Sequence, residues 1–359
     1  MVDKEIYDKY VRPNLKKNEV TKYRELLNTP LRKLNSKCLE YIKKHGVYIT
    51  LTSSPLRLKK IGVTLSIILT NPYIRKIYVT LPRLYRNKEP YSDKDIKFIE
   101  DMSSRIEFRR PADDIGPITK VLPTLKAVRD PNSIIISIDD DIGYPVCLIN
   151  ELIHFSVTYP NIIWTGSGFV WEEFEGTMDF NRKKWPKRKP RWPTVDIVEG
   201  WGAISYKKRL VDIPFLEKLA KLDINCKLSD DLTISYMFAD KGIVMKNINS
   251  KYYEDDGYLF PFKYGLQGDA LHQGSGLGEY VENANIVKYV KCLDNIDDFV
   301  KNKLKRSPAK RKVSRKKTPA KRKVSRKKTP VKKCTSDKIL NPKTNRCVLK
   351  SGKIGKSLL

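Results

Sequence analysis

No apolar run in this 359-residue chain approaches the length of a membrane span. The longest, 65–69 and 134–138, cover five residues each, against roughly 20 for a helix crossing a bilayer, so no transmembrane segment is expected. The N-terminus also lacks the apolar stretch of a secretory leader, and no signal peptide is expected. Cysteine is sparse: positions 38, 147, 226, 292, 334 and 347 make no dense framework, and the larger part of the chain reads as cytosolic and reduced. Acidic residues are missing altogether from 301–333, which holds 18 Lys or Arg. Residues 334–359 add a net +5, so of the formal charge of +30 only +7 belongs to residues 1–300. The whole-chain charge is therefore no reason to read the body as a nucleic-acid binder.

The body has room for one large domain or two smaller ones. Residues 1–45 read as a helical extension of two helices on the outside of the domain. Residues 46–58 read as a strand, a polar turn and a helix start; Leu58, Ile61, Leu65 and Ile68 mark the buried face of a helix running from about Arg57 to Thr70. The next strand, Lys76–Pro82, completes a β-α-β unit and predicts a parallel sheet. A helix capped by Ser92, a short strand at 106–108 and a helix opening at 114–120 follow. A further helix over 148–159 and a strand from Asn161 come after the acidic segment described next. All five tryptophans fall between 164 and 201, around a basic, proline-punctuated loop at 182–193. Aromatic faces suit sugar C–H faces and interleaved cations suit an anion; a basic surface loop anchored by one or two Trp is the plain alternative.

The segment Ile134-Ile135-Ile136-Ser137-Ile138 ends in Asp139, Asp140 and Asp141, then Gly143 and Pro145. A β-branched run reads as a buried strand. Three adjacent acids at its end repel one another and resist desolvation, which makes sense if a hard divalent cation sits there and holds a phosphate. A solvated acidic turn is the other reading. Thr52 and Ser53 lie at the same sheet edge, suited to a base or ribose or to plain helix capping. Lys120 lies where it could reach a phosphate or simply be an exposed helical lysine. Asp230 and Asp231 open a helix, where acids are ordinary caps.

The acid triplet resembles the Asp-x-Asp motif of glycosyltransferases with the GT-A fold. The Gly-rich strand Gly200 to Tyr206 and the Asp230-Asp231-Leu232 helix start occur in the order seen in the inverting, family-two type. The segments 50–57 and 116–120 are similar to a bacterial and viral subgroup of these enzymes. The resemblance spans about residues 46–280; it departs at Asp230, where the family usually has Glu. It implies a GT-A-like (Rossmann-like) α/β fold, a mixed sheet sandwiched by helices. It also implies Mn²⁺ or Mg²⁺ on Asp139 and Asp141, with His272 as a third ligand or else a structural histidine. A nucleotide-sugar, most readily a UDP-sugar, would meet Thr52, Ser53, Arg57, Lys120, Asp139 and Asp140. Asp231 would be the base, with Asp230 beside it, and Trp171, Gly200, Trp201 and Gly202 would face a glycan or glycoprotein acceptor. Inversion is the expected outcome, although carboxylate geometry decides it.

The tail divides in two. An eleven-residue unit starts at Pro308 and again at Pro319, and a third copy begins at Pro330. With almost no apolar residues, 301–333 cannot bury a core; it would contact nucleic acid nonspecifically, act as a nuclear address, or serve as a charged linker. Residues 334–359, with Cys334 and Cys347 around an Asn341-Pro342 turn, resemble the two-cysteine adaptor domain of large DNA viruses. That resemblance implies a viral protein partner and a place in the cytoplasm of an infected host cell or in the virion. The expected domains are thus 1–45, 46–300, 301–333 and 334–359. Two other functions fit the same residues: a nucleic-acid-associated or virion structural protein with a degenerate transferase core, and a metal-dependent nucleotidyl or phosphoryl transferase.

Overall fold

Seven short strands make the central sheet in the computed structural model, which describes residues 2–29, 33–170, 172–174, 177–179, 193–248, 259–262, 284–305, 338–341 and 346–349. They are β1 (Val47–Leu51), β2 (Lys76–Thr80), β3 (Ile106–Arg109), β4 (Ile134–Ser137), β5 (Ile163–Thr165), β6 (Ile204–Lys207) and β7 (Met245–Asn247), in the order β7-β5-β6-β4-β1-β2-β3. β1 pairs in parallel with β2 and with β4, β2 with β3, and β7 with β5. β6 alone runs antiparallel, between β4 and β5. Its register sets Ile204 opposite Ser137 and Thr165. The start of β6 therefore lies at the edge where β4 and β5 end, and the residues before it are delivered to the end of the acidic strand.

Helices cover both faces. On one side lie α2 (Ser36–His45), α3 (Gly62–Leu69), α4 (Asp93–Glu100) and α6 (Val146–Thr158); on the other lie α5 (Leu122–Ala127), α7 (Ile213–Ala220), α8 (Ile224–Lys227), α9 (Asp230–Asp240) and α10 (Ala284–Lys305). A sheet buried on both faces explains why Ile134, Ile135 and Ile136 are all inaccessible to solvent: a strand with no wet face reads as a continuous apolar run. α3 is buried from Gly62 to Ile68, because α1 (Lys17–Asn28) places Tyr23 and Leu26 over Val63 and Ile67 on its outer side. The N-terminal residues Tyr10, Val11, Tyr23, Cys38 and Ile42 are likewise buried, and 1–306 form one compact unit.

Several local expectations are corrected. The helix from Arg57 begins as a 3-10 turn, Leu58–Ile61, before α3. The Gly-rich strand resolves into Ile197–Val198, a 3-10 turn at Gly200–Gly202, and β6. The segment before Asp230 contains α8, whose cap Asp223 accepts from the Cys226 N–H at 2.8 Å. The expectation of reduced cysteines fails at one pair: Cys226 and Cys292 form a disulfide across 66 residues, a proximity that only the packing of α10 on α8 creates.

The second unit, 307–359, contains an antiparallel pair, Lys338–Asn341 with Arg346–Leu349, in which Cys347 faces Leu340. Cys334 and the basic repeats lie outside the described residues, as do Trp171, His272 and the basic stretch 180–192.

Candidate active site

The turn after β4 is braced from several sides. The Ser53 hydroxyl donates to Asp140 Oδ2, and Arg57 Nη1 lies 3.1 Å from Asp140 Oδ1 and 3.0 Å from Asp141 Oδ2. The Thr64 hydroxyl lies 3.0 Å from the carbonyls of Asp140 and Ile142, and the Asp139 N–H donates to the Tyr144 hydroxyl at 2.9 Å. The Tyr91 hydroxyl in turn donates to the Ser53 carbonyl at 2.8 Å. Asp140 is thus turned into the protein, with its side chain 4% exposed, whereas Asp139 and Asp141 keep 34% and 20%. Thr52 spends its hydroxyl on the Thr80 carbonyl at 2.7 Å, tying β1 to β2.

Lys120 sits in the middle. It belongs to a 3-10 turn, Pro117–Lys120, entered through Gly116 at φ +78. A Cβ at Gly116 would stand 2.2 Å from the Lys227 carbonyl oxygen, so only glycine lets this turn meet α8. The lysine is neither exposed nor free, which overturns the reading of it as a plain surface residue. Its ammonium lies 2.8 Å from Asp139 Oδ1 and 2.9 Å from Asp230 Oδ2, with a side chain only 6% exposed.

The Gly200–Gly202 turn closes the other side. The Gly200 N–H donates to Asp231 Oδ1 at 2.8 Å. A Cβ on Gly200 would stand 2.6 Å from Lys120 Nζ, 3.2 Å from Asp231 Oδ1 and 3.4 Å from Asp139 Oδ1, so this glycine is where backbone and charged groups converge. Trp201 is half-buried and packs on the core. Ala203 holds φ +66, a left-handed backbone that costs a non-glycine residue about 1 kcal/mol or more.

Burial governs the electrostatics. It raises the Asp141 carboxyl to about 7, with Asp140 adding to the shift and Arg57 opposing it. It raises Asp140 too, against Arg57 and the Ser53 hydrogen bond. Asp231 stands well above the usual carboxylate range, through burial first and then the neighbouring Asp230, with Lys120 opposing. At Asp231, desolvation outweighs the favourable potential of a helix N-terminus. For Lys120, burial would lower the pKa, but Asp139, Asp230 and Asp231 outweigh it and hold the group well above its ordinary value. Two buried hydroxyls beside this cluster, on Thr119 and Ser229, have no hydrogen-bond partner, the kind of polar atom that ligand or ordered water satisfies.

Asp139, Asp141, Lys120, Asp230, Asp231 and Gly200 are therefore brought together, with Arg57 and Ser53 behind the acids. The three adjacent aspartates do not converge on one point, because Asp140 turns to Ser53 and Arg57 while Asp139 turns to Lys120. Among the described residues, Asp223, Cys226 and Cys292 lie within 4.8 Å of one another, but the two sulfurs are joined as a disulfide and offer no thiolate to a metal. Sequence reasoning missed three groups. Glu199 is buried and its Oε2 accepts from the Ser167 hydroxyl at 2.6 Å; an acid beside glycine in an otherwise apolar strand was its only trace. Tyr289 donates to Asp231 Oδ2 at 3.3 Å, and the buried Lys288 is pushed down by burial against the opposing charge of Asp230. No local pattern announces either.

No family model matches the sequence, and no curated protein does. Among solved structures, the chain is similar to GalNAc-T7 with UDP, GalNAc and Mn²⁺, at 11% identity and a TM-score of 0.44, over 82% of this chain and 57% of that one. The chain thus spans little more than half of that protein. It is also similar to the mannosyltransferase PcManGT of Pyrobaculum calidifontis in complex with GDP-Man and Mn²⁺, at 12% identity and a TM-score of 0.40, covering 78% of this chain and 81% of that one. A third likeness is to the 4-diphosphocytidyl-2C-methyl-D-erythritol synthase of Anaerococcus prevotii, at 15% identity and a TM-score of 0.38, over 71% and 99%. Likeness at this level assigns no residue a role.

Proposed function

We propose that the chain is a metal-dependent glycosyltransferase that moves a hexose from a nucleotide-sugar, a UDP-sugar in the first instance, to a hydroxyl of a glycan or glycoprotein with inversion. The observation that carries the reading is the double ion pair of Lys120, which places Asp139, after β4, and Asp230, opening α9, around one ammonium. A diphosphate leaving group and an acceptor base must likewise lie close together around positive charge. Asp139 and Asp141 are hard oxygen donors, and Asp141, raised to about 7 by burial, is a carboxyl short of positive charge. Two carboxylates with the remaining positions left to water and phosphate suit Mn²⁺ or Mg²⁺. The bound ion would neutralise charge on the departing nucleoside diphosphate. The proposal gives this chain the class of ligands seen in the GalNAc-T7 and mannosyltransferase structures.

The chain's own groups supply the rest. Arg57 and Ser53 hold the acidic turn in place, and Lys120 offers its ammonium to a phosphate oxygen. Asp231, oriented by the Gly200 N–H, accepts the proton of the acceptor hydroxyl as its oxygen bonds to the anomeric carbon and the carbon–phosphate oxygen bond breaks. Burial holds the Asp231 carboxyl above the usual carboxylate range, and a more basic carboxylate binds the acceptor proton more strongly.

The test is a panel of UDP-, GDP- and dTDP-sugars with Mn²⁺, following nucleoside diphosphate release with water or added sugars as acceptor. Release from one donor, abolished by a chelator, is expected. Asp231→Asn should then lose about 10²–10⁴ in rate with donor affinity retained, and Asp230→Asn should lose less. No release from any donor, together with no Mn²⁺ binding in calorimetry, would overturn the proposal.

A further inference from the structure

Asp231 is held at both carboxylate oxygens by groups from different parts of the chain. Gly200 donates its N–H to Oδ1 at 2.8 Å, and Tyr289 donates its hydroxyl to Oδ2 at 3.3 Å. Gly200 comes from the sheet edge and is fixed by the neighbouring strands. Tyr289 comes from α10, which follows a long stretch of chain and reaches the site only by packing. Three residues after Tyr289, on the same face of that helix, Cys292 is bonded to Cys226. Cys226 lies in α8, five residues before Asp231. The result is a closed circuit: Asp231 back to Cys226, across the disulfide to Cys292, one turn along α10 to Tyr289, and through its hydroxyl to Asp231 again. Cys226 is 1% exposed, Cys292 is inaccessible and Tyr289 is 7% exposed, so the circuit runs through the interior.

We propose that Tyr289 is a positioning residue for Asp231, and that the Cys226–Cys292 disulfide keeps it in place. This rests on the reading of Asp231 as the base. A carboxylate held on one side only can rotate about its Cβ–Cγ bond. The second donor removes that freedom and fixes the plane of the carboxylate, while each oxygen retains a lone pair for the incoming proton. Without the crosslink, α10 would be held near this region by noncovalent contacts, which hold a helix face less sharply than a covalent bond one turn away. The crosslink therefore serves orientation as well as stability.

The experiment uses the full chain, Mn²⁺ and the panel nucleotide-sugar that the unaltered protein cleaves. Tyr289→Phe keeps the ring and removes the hydroxyl. It is expected to lower kcat about tenfold to a hundredfold, the loss of one hydrogen bond to a charged group, with the donor KM, Mn²⁺ affinity by calorimetry and Tm unchanged. Cys226→Ala with Cys292→Ala should lower kcat in the same direction and lower Tm. Adding Tyr289→Phe to that background should then cost much less than it does alone, since coupled residues are non-additive. An equal cost in both backgrounds would overturn the role of the disulfide. An unchanged kcat in Tyr289→Phe, where Asp231→Asn loses turnover, overturns the inference and leaves the proposed function standing. A joint fall of kcat and Tm in Tyr289→Phe would reduce the tyrosine to a packing group and also overturn it. Retained turnover in Asp231→Asn would overturn the base assignment and the inference with it.

Discussion

Lys120 and Asp230 come from segments 110 residues apart, yet the ammonium and the carboxylate meet at 2.9 Å. The same ammonium is shared with Asp139, so one buried cation sets the spacing between the end of β4 and the start of α9. Lys120→Met should destabilise the fold by about 3 kcal/mol, the low end for breaking a buried pair because Asp139 is a third exposed. Urea unfolding measures it. A loss below 0.5 kcal/mol would mean that water compensates the carboxylates and the ammonium is not what holds them.

Asp140 and Asp141 should separate cleanly despite being adjacent. Asp140 is committed to Ser53 and Arg57, so Asp140→Asn should lower Tm. Asp141→Asn should leave Tm unchanged or raised, because it removes a carboxyl that burial already disfavours, and should abolish Mn²⁺ binding in calorimetry. Undiminished Mn²⁺ binding in Asp141→Asn would move the metal site elsewhere.

Lys207 gives a pH dependence away from the candidate site. It ends β6, at the opposite edge of the sheet, with its ammonium 4.2 Å from the Tyr41 ring centroid. Burial, with a contribution from Arg209, lowers its pKa from 10.5 to about 8. The unfolded chain then holds this proton more tightly than the folded one, so stability should rise as pH climbs from about 8 to about 10.5. Below pH 8 the penalty is fully present. Lys207→Met should remove that rise and stabilise the protein at pH 7 by about 2 kcal/mol, net of a lost cation–π contact of about 1 kcal/mol. Urea titrations at pH 7, 8, 9 and 10 would show it; parallel pH curves for the two proteins would refute it.

Deleting residues 307–359 removes the second unit and nineteen of the thirty net positive charges. Unfolding of the remainder should be unchanged, and salt-sensitive retention on DNA should vanish. A lowered Tm would show that the body depends on the tail.

The strands and most helices were legible because burial on both faces leaves an apolar run at 134–138 and a 3.6-residue period at Leu58, Ile61, Leu65 and Ile68. The acids at 139–141 were legible because carboxylates at the end of such a run are costly without compensation. The lysine at 120 was visible as a residue but not as the hub it is, since its two partners lie at the end of β4 and the start of α9 and meet it only in the fold. Glu199 and Tyr289 left almost no trace, and the crosslink from Cys226 to Cys292 none, for their partners lie 32 to 66 residues away in the chain.

Local chemistry in the sequence by itself determined where the sheet runs, where its acidic edge falls and where the basic tail begins, because hydrophobic period, charge and turn residues act over a few positions. Which acid faces inward, which cation sits between them and which tyrosine steadies Asp231 were decided only in the tertiary structure. Desolvation and hydrogen-bond geometry depend on neighbours that the chain brings together in space, and no spacing along the sequence encodes them.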